Sequence, residues 1–332
     1  MRKRALVIGI VAAVVVMVAA VYIHVHRQAL IPISTPSLTP TPYPAPTAIQ
    51  VRVGTLPDDD ALPLFVARDE GIFERYGLSV ELMPFHSAFE RDAALTAGEI
   101  EASISDPIAV ILMQAAGIDV KIVGVEMGKD PELGGFCIVA APGSDIKTVE
   151  DLEGKTIAIS RNTIIDFVTD KMLGDVDAKR IDVKKMPERV QMLISGDVDA
   201  ATLPDVLARY AMCQNATLVA SENTFGGNLS FTVTVFRGDF VNENPEAVRK
   251  FIKAYGEAVN MINTNPEAYK ELAVEVAKIP EEVVTEYSVP FFPPPQPYPE
   301  TFRNNFEEVV AWALNKGLIK DEIAFEDCVW VA

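Results

Sequence analysis

The sequence predicts an α/β protein of two similar lobes, with mainly parallel sheets joined by a two-strand hinge and an N-terminal transmembrane helix in front. Three observations carry this expectation. Short aliphatic strands alternate with amphipathic helices from Val51 onward, the pattern of a parallel sheet covered on both faces. The alternation restarts near Lys155. One segment is also echoed: FERDAALTAGEIEA (Phe89 to Ala102) and PERVQMLISGDVDA (Pro187 to Ala200) lie 98 residues apart and align without a gap, with five of fourteen positions identical. In each copy a helix stops at glycine, Gly98 or Gly196, and turns into a strand.

The elements follow in order. After MRKR, residues 5 to 23 are apolar or small and carry no charge, long enough to span a bilayer as a helix. Three bases precede this run and Arg27 follows it, which places the N-terminus in the cytosol and the body outside. Residues 1 to 27 thus read as a signal anchor, with a cleaved signal peptide as the alternative. Residues 28 to 50 read as a Pro/Thr-rich linker, with six prolines between positions 31 and 50 favouring extended polyproline II. In the body, VRVGTL, LSVELMPF, IEASIS and VKIVGVEM read as strands, separated by helices over LPLFVARDEGIFERYG, FERDAALTAG and DPIAVILMQAAG. The second series has strands KTIAIS, IDVKKM and VDAATL, with helices from Thr163 to Leu173, over PERVQMLISG and after Pro204. NLSFTVTVFRGDF reads as a returning strand. Two helices then open with Asn-Pro-Glu at Asn244 and Asn265, where Asn is expected to cap and Pro to take the first position.

Composition narrows the function. The 332 residues suffice for about two domains. Lys and Arg number 29 against 47 Asp and Glu, and four of those bases flank the apolar run, so the body is strongly acidic. Such a body repels phosphate backbones, and no basic patch offsets this, so nucleic acid is excluded as a partner. Cys137, Cys213 and Cys328 are widely spaced, without the clustering of a zinc site, and read as small hydrophobes. No GxGxxG, Walker A, HExxH, GxSxG or EF-hand pattern occurs, so neither a cofactor nor a metal is expected.

Ligands of open α/β sheets bind at the carboxyl ends of the strands. Those ends supply the candidate residues: Asp58, Asp59 and Asp60 after the first strand, Phe85 and His86 after the second, and Ser105 with Asp106 after the third. The second lobe supplies Ser160, Arg161, Asn162 and Thr163, then Asp205. Backbone amides at such helix starts hold anions, although the same Ser and Thr residues equally serve as caps. Phe85, Phe89 and Phe225 offer faces on which a flat ring stacks, with an acid accepting from its amino group. The aspartates outnumber Arg161, which ranks a heterocycle ahead of an anion.

Four stretches in register carry a family resemblance: GTLPDDDALPLFVARDEGIFERYGLSVEL, AGEIEASISDPIAVILMQAAGIDVKIV, GSDIKTVEDLEGKTIAIS and ENPEAVRKFIKAYGEAVNMINTNPEA. Together the sequence resembles the nitrate/sulfonate/taurine and thiamine-pyrimidine group of periplasmic-type substrate-binding proteins of ABC transporters, over residues 51 to 330. The resemblance implies a type II periplasmic binding protein, with residues 51–130 and 235–332 in lobe 1 and 131–234 in lobe 2. It implies a monomer that encloses a small-molecule solute by hinge closure and presents it to an ABC permease and its ATPase. The helical anchor read from the apolar run, which would hold the body to the membrane, departs from a lipid-anchored or freely diffusing receptor. A heterocycle such as a thiamine-pyrimidine precursor or riboflavin is the expected ligand, with a sulfonate, taurine or nitrate-like anion as the alternative. The loop Asp58 to Ala61, the Ser105–Asp106 turn and the Ser160 to Thr163 helix start would face the cleft. No catalysis is expected. A thiamine-pyrimidine synthase-like enzyme would need a reactive His and Lys, with His86 the sole candidate base beyond the membrane segment. A sensor ectodomain would need a cytosolic module, and four residues precede the apolar run.

Overall fold

The computed structural model describes residues 48–128, 135–224 and 229–332, and these form one compact unit from Ala48 to Ala332. The expected membrane segment, most of the linker and Phe225 lie outside the described residues. Among the described residues no helix is long and apolar enough to cross a membrane.

Ten strands build two five-stranded sheets. The first contains β1 (Ile49–Thr55), β2 (Leu78–Pro84), β3 (Ala102–Ser105), β4 (Val120–Met127) and β10 (Thr232–Arg237), in the order β2-β1-β3-β10-β4. The second contains β5 (Phe136–Ala140), β6 (Thr156–Ile159), β7 (Lys179–Asp182), β8 (Ala200–Pro204) and β9 (Thr217–Ser221), in the order β7-β6-β8-β5-β9. The two orders are the same pattern. In each sheet the fourth place is taken by a strand that has just arrived from the other lobe, β10 in one and β5 in the other.

That arrangement corrects the expectation of mainly parallel sheets. The first three strands of each sheet pair in parallel, but β10 runs antiparallel to β3 and β4, and β5 antiparallel to β8 and β9. Both sheets are therefore mixed. A parallel neighbour requires a crossover connection over the sheet, whereas a strand entering from the opposite lobe meets the sheet running the other way. Neither β5 nor β9 is evident from the alternation, since neither belongs to the parallel strand–helix series and β5 enters its sheet from the other lobe.

Other boundaries differ for local reasons. The first strand opens at Ile49, inside the stretch assigned to the linker. The helix expected over residues 62 to 77 is two, Leu62–Asp69 and Ile72–Arg75, because Gly71 at φ 63° turns the chain left-handed between them. β7 ends at Asp182, earlier than IDVKKM suggests, and Met186 and Pro187 already open the helix Met186–Ser195. Pro245 opens the long helix Pro245–Thr264, yet the Asn244 side chain makes no capping bond. Its backbone is engaged in closing the preceding Gly238–Glu243 helix, where its N–H donates to Phe240 at 2.8 Å. Asn265 likewise lacks a capping bond, and a 3-10 turn, Pro266–Tyr269, separates it from the helix Lys270–Ala277.

The echoed segments do the same work in both lobes. Glu101 accepts the backbone N–H of Arg52 in β1 at 2.7 Å, and its counterpart Asp199 accepts that of Thr156 in β6 at 2.7 Å. Each carboxylate thereby pins the first strand of its sheet's parallel trio to the turn before the third. Their donors hold both groups below the ordinary carboxylate range, although burial opposes this at Glu101. The echoed arginines are both buried. Arg91 donates to Ser105 Oγ at 3.0 Å and pairs with Asp92, whereas Arg189, where Leu203 stands in place of Ser105, reaches the Val183 carbonyl and leaves Nε and Nη2 without partners.

The lobes share apolar cover. The helix Glu300–Asn315 places Phe302, Phe306 and Val309 in a core that contains Ile108, Ile122 and Val233 of the first lobe together with Ile138, Ile157 and Phe167 of the second. Its Trp312 stacks edge-on to Phe167 and donates Nε1 to Asp170 at 2.8 Å, and Asp170 also pairs with Lys316 and Arg180. All three cysteines are free, with Cys137 and Cys328 buried and Cys213 exposed.

Two outcomes follow from these contacts. Glu101→Ala and Asp199→Ala should each lower the unfolding free energy by about 1.5–3 kcal/mol, the range for hydrogen bonds to a charged group, and the effects should add because the sites lie in different lobes. Both folded pKa values are depressed, so this stability is present at neutral pH and is lost as the pH falls below the ordinary carboxylate values. Denaturant titrations of both single variants and the double variant at pH 7 and pH 3 check it. Gly128→Ala should lower stability by more than about 1 kcal/mol, because Gly128 sits at φ 94° and an added Cβ would lie 2.2 Å from the Ser230 carbonyl.

Candidate functional site

The chain passes between lobes twice, from β4 to β5 and from β9 to β10. One side chain ties the two passages together. Glu222, directly after β9 and 4% exposed, accepts from the backbone N–H of Phe136 at 3.0 Å on the first passage, and from Leu229 at 2.9 Å and Ser230 at 2.6 Å on the second. The Ser230 hydroxyl donates to the same carboxylate at 2.9 Å. Burial pushes this carboxyl up while the four donors pull it back. Gly135, at φ 106°, lets the Phe136 amide approach, since a Cβ there would sit 3.0 Å from Glu222 Oε2.

Against this staple lies a cavity of about 280 Å³. Its walls come from three sources. Lobe 1 supplies Asp58, Asp59 and Asp60 with the segment from Val283 to Pro290; lobe 2 supplies Phe136, Asp205 and Arg209; and the passages supply Met127, Ser230 and Thr232. Close to the cavity the lobes also touch directly, where the helical turn Glu281–Val284 packs on the helix Asp205–Cys213.

The three consecutive aspartates form one corner of the cavity. Asp58 caps the 3-10 turn Asp59–Ala61, accepting from the Asp59 N–H at 2.9 Å. Tyr287, buried across from them, donates its hydroxyl to Asp59 at 3.4 Å. Desolvation in the cleft, followed by mutual repulsion, raises the carboxyl of Asp58 to about 6 and that of Asp60 to about 7, and pushes Asp59 well above its ordinary value. Opposite, Asp205 opens its helix and is held by Arg209 at 2.9 Å, one helical turn on.

Of the residues expected in the site, Asp58, Asp59, Asp60 and Asp205 line the cavity together. The other described candidates are engaged elsewhere. Ser105 accepts from Arg91, and Asp106 caps the helix Pro107–Ala115 by accepting from Ala109 N–H at 3.0 Å, its carboxyl raised to about 6 by burial. Ser160 is buried, and its carbonyl accepts from Thr163, which caps the helix Ile164–Leu173. Arg161 is exposed, its backbone N–H on Asp182 and its guanidinium on the Arg180 carbonyl; Asn162, at φ 60°, donates its N–H to Asp166. His86 is exposed at the end of β2, where its N–H donates to Glu90. Phe85 packs on the core beside Gly54, and the exposed Phe89 carries Lys184 over its ring at 3.9 Å. The aromatic walls of the cavity are instead Phe136 and Tyr287, which no carboxyl-end rule picks out: one opens β5 where the chain enters lobe 2, the other lies in the long C-terminal stretch. Among the described residues no group of three or more His, Cys, Asp or Glu side chains is placed to hold a metal ion.

Comparison with known proteins agrees with this architecture. The NMT1/THI5-like family matches residues 59–269. A Bacillus subtilis protein named for binding aliphatic sulfonates is 28% identical over 245 residues, covering 71% of this chain and 72% of that one. A Brucella abortus protein named as a binding protein is 27% identical over 239 residues, covering 70% and 72%. The solved structure of the alkanesulfonate-binding protein SsuA from Xanthomonas axonopodis pv. citri, bound to MOPS, superposes with a TM-score of 0.74 at 19% identity, covering 87% of this chain and all of that one. At that identity the likeness establishes the fold, two α/β lobes about a cleft. With the family matched across both lobes and the cleft between them, the chain belongs to the NMT1/THI5-like family.

Proposed function

We propose that this protein is the extracytoplasmic solute-binding component of an ABC importer, which captures a small solute between its lobes and delivers it to a permease and its ATPase. The observation that supports this most directly is the cavity itself, walled by both lobes and by the two stapled passages, where a solute makes contacts to both halves only when they are together. Its relatives are named as binding proteins, which favours carriage over catalysis. The apolar run at residues 5 to 23 would hold a monomeric body to the outer face of the membrane.

Two ligand classes remain in play for this reading. The name of the Bacillus subtilis relative favours an aliphatic sulfonate or a similar anion. The heterocycle reading loses Phe85 and Phe89 as stacking partners but gains Phe136 and Tyr287 as cavity walls.

The reading is tested on the purified full chain with nitrate, ethanesulfonate, taurine, riboflavin, an aminopyrimidine and choline. A carried solute at a hundred times its Kd should stabilise the fold by about 2.7 kcal/mol, a rise of several degrees in Tm, and should lower the radius of gyration in solution scattering as the lobes close. Melting and scattering left unmoved by the whole series would overturn the carrier reading.

A further inference from the structure

We infer that the cleft selects a solute bearing a positive charge, a protonated amine or amidinium, seated against the Asp58–Asp59–Asp60 corner. This rests on the carrier reading and names its substrate class. The lining carries Asp58, Asp59, Asp60 and Glu286 from one lobe and Asp205 and Glu222 from the other, against Arg209, the cation among the described lining residues. Arg209 is already committed to Asp205 at 2.9 Å. Glu222 is saturated by its four donors, and Asp205 by Arg209, so the unspent negative charge is concentrated in the aspartate corner.

A separate observation points the same way. Asp60 is nine-tenths buried and lines the cavity, where it accepts from the amide of the adjacent Ala61 and feels the Arg91 guanidinium, which is itself bound to Asp92 and Ser105. Three consecutive desolvated carboxylates facing one shared guanidinium call for further positive charge from outside the chain. A metal ion is a poor candidate, since these acids do not converge as a metal site. An organic cation fits better: its charge meets the aspartates while Phe136, Tyr287, Val206 and Val289 cover its carbon frame.

Protonation supplies the signature. The groups that face the corner are Arg91 from the helix Ala88–Ala97, which acts on Asp60, and Glu126 from β4, which Asp60 repels, with Tyr287 on Asp59 and Asp205, Arg209, Glu222 and Glu286 around the cavity. With the corner carboxyls raised, part of the corner is protonated near neutral pH. A bound cation favours the carboxylates and drives protons off, whereas a bound anion draws protons on.

Titration calorimetry of the full chain at pH 6.5, in two buffers of different ionisation enthalpy, separates these cases. Choline, putrescine and 4-amino-5-hydroxymethyl-2-methylpyrimidine serve as cationic or protonatable probes, and ethanesulfonate and nitrate as anions. The expected result is binding of at least one probe of the first set with proton release, and affinity at least tenfold weaker at pH 5 than at pH 7.5. Asp59→Asn should weaken that binding at least tenfold with far-UV circular dichroism unchanged, and proton release by the unaltered chain tests the inference even where the variant folds poorly. Silence from all three probes of the first set, or tighter binding of ethanesulfonate or nitrate with proton uptake, overturns the inference. An anion that binds and closes the lobes would do so while leaving the carrier reading intact.

Discussion

The structure depends on how one carboxylate, Glu222, is satisfied. Two lobes joined by two passages need those passages held side by side, or the cleft has no defined geometry. Glu222 supplies this by taking backbone donors from both, Phe136 on one side and Leu229 with Ser230 on the other. Backbone donors make the arrangement independent of side-chain rotamers, and the burial of the group makes an unmet bond expensive. The close approach is permitted by Gly128 and Gly135, whose positive φ values and crowded Cβ positions leave little room for another residue. The cavity lies directly against this joint, so solute contacts and lobe orientation are coupled through shared residues.

The repeat explains why the lobes are alike and where they have diverged. Glu101 and Asp199 retain one task, pinning a first strand to the turn before the third. Arg91 and Arg189 retain burial but not partners. In the first lobe Ser105 receives the guanidinium, which also lies near enough to pull down the carboxyls of Asp60 and Asp106. In the second lobe Leu203 takes the equivalent place, and burial lowers Arg189 to about 10. The positive charge of the repeat thus sits behind the cleft on one side and is sealed in the core on the other. Neither arginine lines the cavity.

Much of this was legible in the sequence, for identifiable reasons. Strands with strong alternation, such as VKIVGVEM, and helices bounded by Asp-Pro or Gly coincide closely with the observed elements, because local geometry alone fixes them. The antiparallel strands β5 and β9 were not legible, because their place is set by the passage of the chain between lobes. The site shows the same division. The rule that ligands gather at strand ends found Asp58, Asp59, Asp60 and Asp205. It also gathered Asp106 and Thr163, whose side chains are consumed as helix caps, and Arg161, whose guanidinium is taken by a neighbouring carbonyl. A strand-end residue is open to a ligand only if the helix behind it does not claim it first, and that depends on side-chain geometry. Phe136 and Tyr287 carry no sequence signal, since their role arises from where the passages bring them.

The same distinction bears on what the cleft prefers. A helix N-terminus attracts anions through unpaired amides and the helix dipole, but the attraction weakens once a cap residue accepts from those amides. In this chain the starts at Asp106 and Thr163 are capped by their own side chains, whereas the start at Asp205 has no side-chain cap and sets a carboxylate, held by Arg209, beside its amides. Two of these three helix starts are therefore spent internally. The charge facing the cavity is mostly carboxylate, partly shielded by Arg209 on one wall and by Arg91 behind Asp60 at the aspartate corner. Shared fold with a sulfonate-binding protein fixes the position of a cleft, while the sign of its field is set by the handful of charged side chains that line it.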